Sequence, residues 1–169
     1  MNIEKDDQLD HRSHQQPCNQ PSDVMARLGT AMDAARSGDE TPARELLGHL
    51  WDELGSDGDP YHLCAVAHSL ADLQDDPRVE LMWDLRALAA CRRLTDARLA
   101  AEGVATSVRG FMPSLHLNLA DDYARCFDAA QALVHVAAAR EALPSLPDDG
   151  YRWMISDALD RVQAAAEAM

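Results

Sequence analysis

Cys64, His68 and Asp72 recur every four residues within PYHLCAVAHSLADLQDDP, so all three fall on one face of a helix. Two chemistries use such a set. Thiolate and imidazole are zinc ligands, but a structural zinc site takes four, and His116 joins only if the fold brings it across. As a catalytic set, His68 oriented by Asp72 is a base, with Cys64 or Ser114 as nucleophile. The chain has no GxSxG elbow, no HExxH pair and no phosphate-cradling glycine loop to support that reading. The plainer account is that Cys64 packs and His68 pairs with Asp72 one turn on. Neither a metal nor a cofactor is expected. His11, His14 and Cys18 lie in a stretch that offers ligands no geometry.

Charge narrows the partners. Against 15 Lys and Arg stand 29 Asp and Glu, a formal net charge of −14. Nucleic-acid binding depends on neutralising phosphates with clustered cations, so nucleic acid is excluded as a direct partner. The plain reading of the acid excess is a solvated surface, and the sharper one is attraction of a basic partner. Lys5 is the only lysine, every other basic side chain being Arg. No run of about 20 apolar residues is present, so no bilayer-spanning helix is expected. The polar, acidic start lacks the apolar core of a secretory signal, and the expected location is cytoplasmic. Cys18, Cys64, Cys91 and Cys126 show no CxxC spacing, and reduced, mostly buried thiols are expected.

The elements that position these residues read as helices. Apolar residues make up 47% of the chain but aromatics only 5%, so its core must come from close helix approach, and an all-α fold follows. Residues 1 to about 21 carry no apolar period and read as a disordered tail. From Ser22 or Asp23 a helix carries Val24, Leu28, Ala31 and Ala35 up to Ser37-Gly38-Asp39. A second starts around Thr41-Pro42 and carries Leu46, Leu47, Leu50 and Leu54. Asp59-Pro60 and Asp76-Pro77 open a third and a fourth, the latter running to about Leu94. Thr95 caps a short extra helix ending near Gly103, and ATSVRGFMP reads as a loop leading to Pro113. Two helices follow up to Pro144, and a last one after Pro147-Asp148-Asp149-Gly150 presents Tyr151, Ile155, Leu159 and Val162 on one side. Trp83, Tyr151 and Trp153 read as packing residues before recognition aromatics.

The segment from Ser114 to Pro144 resembles a helix–turn–helix unit of the tetratricopeptide repeat family. Leu119, Ala120 and Tyr123 stand on its first helix, Ala132, Val136 and Ala139 on its second, and Pro144 closes it. Setting Ala31, Ala67 and Ala120 in register aligns the first and third pairs well, with Ala43 matching Ala132. The second pair slips around Val79, Trp83 and Ala87. The steps between those alanines are 36 and 53 residues, the longer one reflecting an insertion at about 95–112. The resemblance implies a domain over residues 22–169: three antiparallel helix pairs in a right-handed superhelix with a C-terminal capping helix. Three repeats and a cap are also the least that stacks into a continuous core.

In that family the first helices line a concave groove for partner segments. Carried over by register, the groove here would present Tyr61, His68, Asp72, Asn118, Asp121 and Arg125. The implied function is a non-catalytic scaffold or adaptor that binds a peptide or helix of another protein. A ligand-sensing or regulatory domain of the same build is the alternative, and a small helical enzyme using His68 and Asp72 comes last. The family members that grip acidic C-terminal tails use lysine and asparagine, and Asn118 and Arg125 alone do not reproduce that set.

Overall fold

The computed structural model describes residues 21–169, and the polar tail expected up to about residue 21 falls outside them. Among the described residues the chain is all helical: α1 (Pro21–Arg36), α2 (Glu40–Leu54), α3 (Pro60–Ala71), α4 (Pro77–Cys91), α5 (Asp96–Ala101), α6 (Met112–Arg125), α7 (Ala129–Ala142) and α8 (Gly150–Glu167). Short 3-10 turns at Val108–Phe111 and Leu143–Ser145 lead into α6 and out of α7.

Local sequence sets most of these boundaries. The Asp59 carboxylate accepts from the backbone N–H of Tyr61 and His62 ahead of Pro60, and Asp76 accepts from Arg78 ahead of Pro77. Thr95, Asp128 and Asp149 cap α5, α7 and α8 in the same way. Each such cap stabilises its helix by about 1 kcal/mol. Three helices end in the same left-handed turn, in which the N–H three residues past the helix reaches back across its last turn: Asp39 to Ala34, Val104 to Leu99 and Asp128 to Tyr123. Gly38 and Gly103 take the positive φ in the first two, and Phe127, with φ 62°, takes it in the third.

Helices joined by short connections at 37–39, 72–76 and 126–128 pack as antiparallel pairs: α1 with α2, α3 with α4, α6 with α7. The pairs are linked by α2 against α3 and α4 against α6, and α8 lies on both α7 and α6. Where helices cross, the residues are small and closed to solvent: Ala31, Ala43, Ala67, Ala120, Ala132 and Ala139 are all at most 1% exposed. A methyl is about all that fits between axes some 8–10 Å apart. The core runs through the pairs as three continuous clusters. Leu47, Leu50, Val66 and Leu70 join the first pair to α3; Leu63, Leu88, Cys91, Leu99 and Leu115 join the second pair to α5 and α6; Val136, Ile155, Leu159 and Val162 seal α8 onto the third.

Several local expectations shift. The α4 helix stops at Cys91 instead of running to Leu94, because Arg92 is the cap and the next residues turn with 3-10 bonds. The stretch read as a loop before Pro113 contains the 3-10 turn, so α6 already starts at Met112. In the second pair Val79 is only half-buried, and Ala87 is the fully buried small residue of α4. Trp83 packs edge-on against Trp51 with centroids 5.1 Å apart, and the Arg86 guanidinium lies 4.3 Å over its ring. Trp153, by contrast, is 62% exposed. No helix of the described residues is long and apolar enough to cross a membrane.

Candidate functional site

The C-terminal end of α3, the start of α4, the polar face of α6 and one face of α8 enclose an open cleft of about 630 Å³. Asp72, Glu80, Asn118, Asp121 and Arg125 form its polar wall. Ala158, Val162, Ala165 and Met169 form an apolar wall from the last helix and the C-terminal residue, with Arg161 beside them. Leu117 and Ala124 lie between the two.

Beneath the polar wall is a set of acids that belong to packing positions. Asp84 of α4 and Asp122 of α6 are both 0% exposed, and with Glu80 they bring one carboxylate oxygen each to within 4.8 Å of one another. Arg125 serves this group. Its Nη2 donates to Oδ1 of Asp122 at 2.7 Å and pairs with Oε2 of Glu80 at 2.6 Å, while Nε pairs with Asp121 at 2.9 Å. On the other side, Nδ1 of His68 lies 3.4 Å from Oδ1 of Asp84, and Nδ2 of Asn118 lies 3.4 Å from the same ring nitrogen.

These surroundings move the protons. Burial, with Asp84 and Glu80 close by, pushes the Asp122 carboxyl up to about 8 despite Arg125. Burial and the same two acids raise Asp72 as well, against the pull of His68. The hydrogen bond to Asp84 raises His68 above the usual imidazole range.

Of the groove residues read from the sequence, Asp72, Asn118, Asp121 and Arg125 therefore meet around one cleft. His68 sits behind them, between Asn118 and Asp84. Tyr61, in the first turn of α3, packs on the central core away from the cleft. The set that opened the zinc and catalytic readings is dispersed. Cys64 faces Cys91, whose hydrogen bond, with burial, pushes its thiol up and makes it a poor nucleophile. Ser114 donates to the Phe111 carbonyl, and His116 pairs with His135 of α7 at 2.9 Å. The partner of His68 is Asp84 on the next helix, in place of Asp72 along its own.

Glu80, Asp84, Asp122 and the α8 wall escaped the sequence reading. The two buried acids did leave a signal: Asp84 precedes Ala87, Leu88 and Cys91 by three, four and seven residues, and Asp122 follows Leu119 and Leu115 by three and seven. Each is thus a charge on an apolar stripe. Comparisons with known protein families, with curated proteins and with solved structures find no match for this chain.

Proposed function

We propose that this chain is a non-catalytic interaction module, a tetratricopeptide-like stack with right-handed superhelical build, that holds a basic peptide or helix of another protein in the α3–α4–α6–α8 cleft. In such a stack α3 and α6 are first helices of successive repeats, and α8 stands where the first helix of a further repeat would. The concave face is then the one carrying Asp72, Asn118, Asp121, Arg125 and the α8 alanines, which is where the cleft opens.

The observation that carries the reading is the pairing of walls. One is apolar and built from small side chains, leaving room for an incoming helix or strand. The other is acidic, and its Arg125 is already engaged by Glu80, Asp121 and Asp122, while Asp72 has no ion-pair partner among the described residues. A segment with arginine or lysine on one side and apolar residues on the other complements both, and the net charge of −14 steers it in.

A panel of fluorescently labelled amphipathic peptides of one length, differing only in arginine against glutamate on the polar face, tests this by anisotropy. Arginine peptides should bind, weaken as salt rises, and lose affinity several-fold on the Asp72→Asn/Asp121→Asn double variant. Equal affinity for the arginine and glutamate peptides would sink the reading.

Catalysis by His68 keeps one observation in its favour, since a buried carboxylate orients its ring as in hydrolytic dyads. The candidate nucleophiles Cys64 and Ser114 are both engaged elsewhere, so neither supports that reading.

A further inference from the structure

We propose that Glu80, Asp84 and Asp122 form a binding site for one divalent cation of the hard, oxygen-preferring kind, set beneath the cleft where α4 meets α6. The claim is independent of the peptide reading.

Two observations carry it. The first is geometric: three carboxylate oxygens from two helices lie within 4.8 Å of one another. The centre of such a triangle is no more than about 2.8 Å from each oxygen, close to the roughly 2.3–2.6 Å of a calcium ligand, so side-chain shifts of tenths of an ångström complete the coordination. The second is the state of the buried acids. Oδ1 of Asp84 is held by His68 and Oδ1 of Asp122 by Arg125, yet Oδ2 of each is buried without any hydrogen-bond partner. A buried carboxyl oxygen left bare is costly and rare, and one shared cation, displacing the proton that burial keeps on Asp122, would satisfy both.

The surrounding groups fit a metal centre. His68 and Arg125 fix the first oxygens of Asp84 and Asp122 and so orient the second ones, the part that outer partners play around metal ligands. Arg125 reaches Glu80 through Oε2. Even with His68 protonated, two cationic side chains face three acids here. The occupant must also be small, because Asp84 and Asp122 are wholly closed to solvent and no lysine or arginine of a partner can reach them. Glu80 lines the cleft and offers the way in for an ion and its waters. All-oxygen donors select Mg2+, Mn2+ or Ca2+ over the softer ions that cysteine and histidine attract.

The chelator-stripped full chain is titrated with MnCl2 at neutral pH, free ion being read by electron paramagnetic resonance, with Mg2+ and Ca2+ as competitors and melting followed in parallel. One Mn2+ per chain, displaced by a competitor and accompanied by a higher melting temperature, is the expected result. Asp84→Asn and Asp122→Asn should each weaken binding about tenfold or more. Glu80→Gln, at a partly exposed position, serves as the variant that keeps its fold and should weaken binding too. No uptake by wild type at about 1 mM Mn2+, Mg2+ or Ca2+, or uptake unchanged in all three variants, overturns the site. The peptide assay run in chelator reports separately, so either claim can fail alone.

Discussion

Nδ1 of His68 on α3 lies 3.4 Å from Oδ1 of Asp84 on α4, and Asp84 is wholly buried, so the imidazole joins two helices through a carboxylate closed to bulk solvent. Asp72, the residue that caps the end of α3, is instead at the cleft, where loss of solvation and then Asp84 and Glu80 outweigh the pull of His68 and disfavour its charge. Two residues that look equivalent on a helical wheel therefore contribute oppositely to the fold. His68→Ala strips Asp84 of its partner and should cost about 1–3 kcal/mol in urea denaturation, whereas Asp72→Asn relieves repulsion and should be neutral or slightly stabilising. Equal losses for the two variants would show that His68 does not hold Asp84.

The pH dependence has two limbs of opposite sign. His116 and His135 share a hydrogen bond between their Nδ1 atoms, one donating and the other accepting, so both rings cannot be protonated without losing it. Burial, followed by His135 and Arg92, lowers His116 to about 4. The unfolded chain then takes up more protons below the ordinary imidazole range of about 6.5, so stability is complete above that value and is lost as pH falls toward 4. His68 is raised, so its contribution is complete below about 6.5 and is lost as pH rises through its folded value. Melting curves from pH 4 to 8 should show His116→Asn flattening the acid limb and His68→Asn the neutral one. A swap of those limbs would mean that the assignment is reversed.

Phe127 adopts φ 62°, is 86% exposed, and closes the same kind of turn that glycine closes at Gly38 and Gly103. A left-handed conformation costs a residue with a Cβ about 1–2 kcal/mol, and this ring recovers little of that by packing. Phe127→Gly should stabilise the protein by about 0.5–1 kcal/mol after the added freedom of the unfolded glycine, or about 1–4 °C in melting temperature. A drop in melting temperature would show that the exposed ring makes contacts worth more than the strain.

What was legible in the sequence is what local chemistry decides. Asp59-Pro60, Asp76-Pro77, Thr95 and Asp149 mark helix starts because a cap and its N–H partners lie within a few residues. Alanines at the crossings were legible as well, since a small residue on an apolar stripe has a single packing reason. The acid cluster was not. Asp84 and Asp122 are 38 residues apart, and only the meeting of α4 with α6 turns two charges on separate stripes into one site. The cleft was half visible: its polar wall follows from the spacing on α6, but the role of α8 as a second wall depends on the angle at which it crosses α6 and α7. Tyr61 shows what register alone does not convey: at a plausible groove position, it packs partly buried against the central core, outside the cleft.

Two alanine replacements separate the fold from the cleft. Ala132 is 0% exposed at the crossing of α6 and α7, where added methylenes have nowhere to go, so Ala132→Leu should cost about 1–3 kcal/mol. Gln131 beside it is exposed, and Gln131→Leu should change stability by no more than about 0.5 kcal/mol. Ala165 is also exposed but faces the cleft, so Ala165→Trp should leave melting within about 0.5 kcal/mol of wild type while filling the space an incoming segment needs. Affinity for the arginine peptide, read by anisotropy, should then fall about tenfold or more for Ala165→Trp, the scale expected when a central contact is lost. It should be unchanged for Ala132→Leu at temperatures where that variant is folded. Loss of binding in Ala132→Leu with retention in Ala165→Trp would move the binding surface away from α8, to the face that α7 presents.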